Sequence, residues 1–163
     1  MSGNVLIRQH HIGDIGWAIE RHAELYWNEF GWNEEFEALV ATLFAKFATD
    51  RDPETDRCWI AELEGERVGC VFVVRNSDDP ATAQLRCLLV DPKGRGQGVG
   101  QRLVNECIEF TRKAGYKKLM LWTNDVLVSA RRIYEGAGFV LVKEEPHHSF
   151  GHDLISQVWS LDL

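Results

Sequence analysis

The segment Val90-Asp91-Pro92-Lys93-Gly94-Arg95-Gly96-Gln97-Gly98-Val99-Gly100 carries the strongest chemical signal in the chain. It lies between an apolar run, Ala83 to Val90, and a stretch of helical periodicity; Pro92 ends the run by withdrawing a ladder donor. Glycines at such a junction permit left-handed dihedrals and let backbone N–H groups turn inward onto an anion, while the positive end of the following helix faces the same ligand. The expected chemistry is a pyrophosphate cradle made of backbone; the alternative is a turn that only reverses the chain. Two other phosphate loops fit poorly. Gly100 is followed by Gln101-Arg102, so the lysine and hydroxyl of a P-loop are missing. Gly94 and Gly96 open a G-x-G-x-x-G string, but its last position is Val99, and the strands before it read as an antiparallel meander.

Charged and imidazole side chains are distributed unevenly. Between Glu20 and Glu37 stand six acids (Glu20, Glu24, Glu29, Glu34, Glu35, Glu37) against one base, Arg21. The histidines fall at His10-His11, His22 and a group of His147, His148 and His152. That last group admits three readings: metal ligands, contacts to a substrate, or a polar surface loop. Only Asp153 joins it at ligand spacing, so no metal is assigned. Trp122 and Trp159 alternate with strand neighbours and read as core. Arg131 and Arg132 lie on a predicted helix, within reach of a phosphate or simply solvated.

The elements that must position these groups follow from periodicity. A short strand, Val5 to Arg8, leads into an amphipathic helix through Ile12, Ile15, Ile19, His22, Tyr26 and Phe30. After Gly31-Trp32-Asn33, with Asn33 as N-cap, Phe36, Leu39, Val40, Leu43, Phe44 and Phe47 repeat at helical spacing. Cys58 to Leu63 and Val68 to Val74 form a hairpin around Gly65, and Asp78-Asp79-Pro80 turns into the strand Ala83 to Val90. A helix from about Gly98 to Ala114 closes at Gly115; a strand, Lys118 to Thr123, ends at Asn124; a helix, Val128 to Ala137, stops at Gly138. Two strands, Phe139 to Glu145 and Leu154 to Leu161, flank a histidine-rich loop.

Composition bounds the rest. The 163 residues include 18 Lys+Arg and 25 Asp+Glu, a net charge of −7, which argues against nucleic acid as a partner. One domain spanning residues 1–163 is expected, without internal repeats or a linker. Cys58, Cys70, Cys87 and Cys107 form no C-x-x-C pair and read as buried thiols in a reducing compartment. The longest apolar stretches are too short to span a bilayer, and Met-Ser-Gly-Asn does not resemble a signal peptide. A cytoplasmic protein without a membrane partner is expected; exposed strand edges and six tryptophans permit a homodimer.

The glycine segment resembles the acyl-CoA loop of the GNAT superfamily of N-acetyltransferases, whose pattern Arg/Gln-x-x-Gly-x-Gly/Ala matches Arg95, Gly98 and Gly100. Asn124 at a strand end and Ala130-x-x-x-Tyr134-Glu135-x-x-Gly138-Phe139 correspond as well, and the order of elements agrees from Val5 to Leu161. The chain is also similar to the acetyltransferase half of bacterial proteins that fuse a MarR-type winged helix to this fold, through Tyr26 to Val40 and His147 to Asp153. The resemblance implies an α/β fold of GNAT type: a mixed, mostly antiparallel sheet, splayed in the middle, with helices on both faces. It implies that acetyl-CoA is the cosubstrate, held by backbone amides of Arg95, Gly96, Gln97, Gly98, Val99 and Gly100. Leu88, Leu89 and Val90 would pair with pantetheine as an added strand, and Asn124 would contact the same arm. Tyr134 would be the general acid on the leaving thiolate. The acidic helical region would form one wall of the acceptor site. Glu29 is then the first candidate for the base, beside Trp27, Phe30 and Trp32. No metal is implied. The expected activity is direct acetyl transfer to a small-molecule primary amine in a ternary complex, with the acidic wall favouring a cationic acceptor. A non-catalytic acyl-CoA-binding sensor or scaffold is the alternative.

Overall fold

Seven strands form one sheet in the order β1-β2-β3-β4-β5-β7-β6 in a computed structural model that describes residues 3–163. Met1 and Ser2, part of the N-terminal reading, lie outside the described residues. The strands are β1 (Val5–Gln9), β2 (Arg57–Leu63), β3 (Glu66–Arg75), β4 (Thr82–Val90), β5 (Lys118–Asn124), β6 (Val140–Ser149) and β7 (His152–Asp162). Helices α1 (Asp14–Phe30) and α2 (Glu34–Asp50) cover one face, and α3 (Val99–Lys113) and α4 (Val128–Gly136) the other.

Local chemistry accounts for the helices that matter to the site. The Asn33 side chain caps α2 by accepting the Glu35 N–H at 3.0 Å, and the helix buries Phe36, Val40, Phe44 and Phe47 at the predicted spacing. Each such side chain contributes about 1.5–3 kcal/mol on leaving water. Helix α1 starts at Asp14, later than its apolar periodicity suggests, and Ile12 is fully exposed. The Asp14 carboxylate sets that start. It accepts from the His11 N–H at 2.7 Å and from the Arg8 guanidinium at 2.7 Å, which ties the helix to β1.

The sheet opens in its middle. β4 and β5 run parallel and pair only from Thr82–Lys118 to Leu85–Leu121. Beyond Leu85 the β3–β4 register slips between Cys70 and Phe72, and Cys87 adopts φ 57°, a left-handed conformation that costs a non-glycine residue about 1–3 kcal/mol. β5 instead follows β7 along its whole length, from Lys118–Asp162 to Asn124–Ser156. The two half-sheets diverge, and the free edge of β4 faces the gap.

The predicted histidine-rich loop is a correction. β6 continues through His147 and His148 to Ser149, and β7 begins at His152, leaving only Phe150 (φ 58°) and Gly151 (φ 85°) as a two-residue turn. Polar residues here signal an edge strand whose side chains meet water; Pro146 is tolerated on that edge. The hairpin tip folds onto the α1–α2 corner. Phe150 packs against Trp32 and Phe36 with ring centroids 5.1 Å apart in each case, and its carbonyl accepts the Asn33 N–H at 3.2 Å.

Candidate active site

The glycine segment becomes a single 3₁₀ turn, Pro92–Gly94, followed by a loop that enters α3 at Gly98 with φ 73°. Asp91 begins the turn by accepting the Lys93 N–H at 3.1 Å and the Arg21 Nε at 2.9 Å, so the loop is anchored to α1. A Cβ on Gly98 would meet nothing within 4 Å, so the constraint at that position is the left-handed backbone. At Gly100 the constraint is space: an added Cβ would lie 2.6 Å from Ile133 Cδ1. No acid occupies the first turn of α3, so its free N–H groups present an unneutralised positive end.

This helix end opens onto a cavity of about 460 Å³. Leu88, Leu89 and Val90 from β4, the loop residues Arg95, Gly96 and Gly98, and Val99 and Gly100 of α3 all line it. Glu29 closes the mouth from α1. Gln97, Asn124 and Tyr134 do not form part of its wall. Free amides at one end, an unpaired strand edge along one side and an apolar floor suit a ligand with a diphosphate and a long amide-bearing arm.

Glu29 meets a different environment from the one its aromatic neighbours suggest. Its carboxylate forms an ion pair with the Arg95 guanidinium, 66 residues away in sequence, and Trp27 turns outward. The remaining acids of that region are all exposed. Glu24 pairs with Arg21 at 2.8 Å, Glu35 accepts the Phe150 N–H at 3.2 Å, and Glu34, Glu35 and Glu37 border a separate shallow depression.

Tyr134 is buried on α4 against Phe139, and burial raises its pKa well above the usual phenol value. Asn124 is buried at the end of β5, where its Oδ1 lies 2.7 Å from His147 Nε2. The other ring nitrogen of His147 is 2.9 Å from Ser149 Oγ. With Oδ1 taken by the imidazole, the Asn124 amide N–H groups remain to donate elsewhere. The three clustered histidines diverge: His148 pairs with Asp153 at 2.8 Å, and His152 reaches the Gly31 carbonyl at 2.9 Å. Among the described residues no group of three or more His, Cys, Asp or Glu is placed to hold a metal.

Burial pushes the Cys87 thiol up to about 12 and raises those of Cys58, Cys70 and Cys107. These thiols are poor nucleophiles. Trp159 is core as expected, but Trp122 is a correction: it is 44% exposed and lies beside the His147 ring, 5.7 Å between centroids. It stands past the last β4–β5 pair, where β4 no longer runs beside it. Arg131 donates to the Asp125 carbonyl at 3.1 Å, which holds it in its own helix cap region. Sequence reasoning placed His22 on the apolar stripe of α1 without a role and overlooked Arg86. His22 is 2% exposed, donates through Nδ1 to the Ala18 carbonyl at 2.7 Å and has an unpartnered Nε2. Arg86 was legible as a charge inside the apolar strand Ala83 to Val90.

The sequence model described as the acetyltransferase (GNAT) family matches residues 19–139. N-acetylaspartate synthetase of Xenopus tropicalis is 32% identical over 104 residues, covering 62% of this chain but 38% of that protein. An uncharacterised N-acetyltransferase of Schizosaccharomyces pombe is 29% identical over 123 residues, covering 76% of this chain and 75% of its own. Among solved structures, YncA of Salmonella typhimurium, determined with its cofactor acetyl-CoA, superposes with a TM-score of 0.78 over 98% of this chain and 94% of its own at 18% identity. An N-acetyltransferase from Staphylococcus aureus Mu50 gives a TM-score of 0.80 over 98% of each chain at 16% identity. The fold is therefore shared at low identity, and with the match across the glycine loop, the gap between β4 and β5, and α4 it follows that the chain belongs to the acetyltransferase (GNAT) family.

Proposed function

We propose that residues 1–163 act as one acetyl-CoA-dependent N-acetyltransferase domain, moving the acetyl group directly to a primary amine. The observation that carries this reading is the glycine loop at the start of α3 opening beside the unpaired edge of β4. Amides from Arg95 to Gly100 hold the diphosphate, Leu88 to Val90 pair with the pantetheine amides, and Asn124, oriented by His147, donates to the same arm. In the reaction the amine nitrogen loses a proton and forms the N–C bond, the C–S bond breaks, and Tyr134 protonates the departing thiolate. Raised thiol pKa values disfavour a cysteinyl intermediate and support direct attack.

Glu29 is the proposed base, and its ion pair gives it a condition. Arg95 must turn toward the diphosphate before the carboxylate can serve the incoming ammonium, so acetyl-CoA binds first. The ammonium group of the acceptor then enters past Glu29, which lines the cavity. The likeness to the acetyltransferase half of winged-helix fusions falls on this same acceptor side, in the α1–α2 corner and the β6–β7 hairpin. Free cysteines fit a reducing, cytoplasmic setting, and the exposed Val140 and Val142 of β6 are the surface through which a homodimer would form.

Incubation with acetyl-CoA and a panel of small amines tests the function by release of free thiol and by the mass of the acetylated product. Thiol release that requires an amine supports transfer. Tight acetyl-CoA binding without amine-dependent release from any acceptor identifies a binding module instead.

A further inference from the structure

Arg86 is the first residue of β4 beyond its last pairing with β5, at the apex of the wedge. It pairs across β3 with Phe72, which belongs to the apolar layer under α1 and α2, so the Arg86 side chain projects to that face. Trp122, the residue after the last paired position of β5, projects to the same face on the other side of the gap. The guanidinium therefore stands on the acceptor side of the wedge, across the sheet from α3 and α4.

Its electrostatic situation is unusual for this molecule. Arg8, Arg21, Arg67 and Arg95 each pair with a carboxylate, and the half-buried Arg57 lies over the Phe110 ring. Arg86 is half-buried too, yet among the described residues its guanidinium forms no ion pair and no hydrogen bond. Burial lowers its pKa from the ordinary guanidinium value. A partly desolvated cation without a counter-ion is costly to keep, and the cost is removed when a ligand supplies the anion.

Distance fits the chemistry. Leu88, at the start of the edge assigned to pantetheine, lies two residues further along β4, at most roughly 7 Å, the rise of a fully extended strand. A small molecule held by Arg86 through one end would place a group a few bonds away at the wedge opening. We infer that Arg86 binds the carboxylate of the acceptor, so that the substrate class is an amino acid whose amine is acetylated rather than a polyamine. This rests on the acetyltransferase reading above and deepens it. The planar guanidinium grips a carboxylate with two parallel hydrogen bonds, and that fork orients the amine as well as holding the molecule. The same unpaired cation repels a substrate whose charges are all positive.

The test compares L-amino acids with their own carboxamides, and includes spermidine, in the thiol-release assay with acetyl-CoA. Wild type is expected to favour the acids, and R86Q is expected to lower the acid-to-amide ratio of kcat/KM by roughly 30-fold or more, the scale for truncating one partner of a desolvated charge pair. R86K keeps the charge but loses the fork, so its ratio should fall between the two, and it carries the test if R86Q does not fold. Retention of the acetyl-CoA thermal shift in the variant separates acceptor recognition from loss of the fold. An unchanged ratio in a variant that still binds acetyl-CoA overturns the inference, as does spermidine or an amide serving wild type as well as any acid; in both cases acetyl transfer stands. No thiol release with any amine overturns transfer and the carboxylate reading together.

Discussion

Replacing Tyr134 by phenylalanine removes one oxygen from a site where the structure separates chemistry from stability. The ring is 4% exposed and packs against Phe139 at 5.8 Å between centroids, contacts that phenylalanine preserves. Tyr116 donates its hydroxyl to the Thr55 carbonyl at 3.0 Å, whereas the Tyr134 hydroxyl joins no hydrogen bond among the described residues. No internal partner is orphaned, so the stability change should stay within about 0.5 kcal/mol, the range of an uncoupled substitution. Losing a general acid typically costs roughly 100-fold in kcat, equivalent to about 2.7 kcal/mol of transition-state stabilisation. Burial raises the phenol pKa, so the acid form persists through alkaline pH and Tyr134 contributes no alkaline limb to the rate profile. Steady-state thiol release with the best acceptor, paired with denaturant unfolding and an acetyl-CoA titration, reads all three quantities. Wild-type kcat in the variant would refute the assignment, since an acid that transfers its proton in the transition state cannot be silent. A matching fall in stability and rate would assign Tyr134 to packing.

Gly98→Val forces a β-branched residue into φ 73°, a strain of about 1–2 kcal/mol that distorts the entry of the loop into α3. Acetyl-CoA at 100 times its Kd adds about 2.7 kcal/mol to wild type; the variant should lose most of the corresponding thermal shift, and a full wild-type shift would remove the diphosphate from this loop. Glu29→Gln should lower kcat by roughly 10- to 100-fold, while acetyl-CoA binding stays or tightens because Arg95 no longer has a competing carboxylate. Unchanged kcat returns Glu29 to a plain surface ion pair. Burial lowers the His22 pKa from 6.5 to about 4, so between those values the unfolded chain binds a proton that the folded one does not. Stability therefore falls as pH drops through that window, by about 2 kcal/mol between pH 7 and 5. Urea midpoints at the two pH values check this, and His22→Phe should lose that part of the pH dependence.

The loop and helix start that the proposed cofactor site uses were legible because they are set by backbone conformation in contiguous residues. Arg95 to Gly100 needs only glycine at the left-handed positions and a helix directly behind it, and both are written in adjacent letters. Helix α2 was equally open, since Asn33 and the phenylalanine spacing are local signals. The acceptor half depends on distant pairings. Nothing near Glu29 announces Arg95, and nothing near Trp122 says that β4 will leave its side. The histidine hairpin misled for a related reason: polarity reports exposure to water, and an edge strand is as wet as a loop. At Cys87 the strained dihedral has no sequence signature, because a cysteine in an apolar strand ordinarily stays extended.

That asymmetry follows from what each half recognises. A diphosphate and a chain of amides are matched by free N–H groups and a strand edge, which any side-chain sequence can offer once the glycines and the wedge are in place. An acceptor is matched by particular side chains, and in the proposed reading these come from α1, β4, β5 and the β6–β7 hairpin, elements far apart in sequence. The wedge joins the two tasks. Because β4 stops pairing with β5 after Leu85, the same five residues, Arg86 to Val90, offer a free backbone edge at one end and an unpaired guanidinium at the other. The bulge at Cys87 lies between them, so the strain is located where the strand changes from one task to the other.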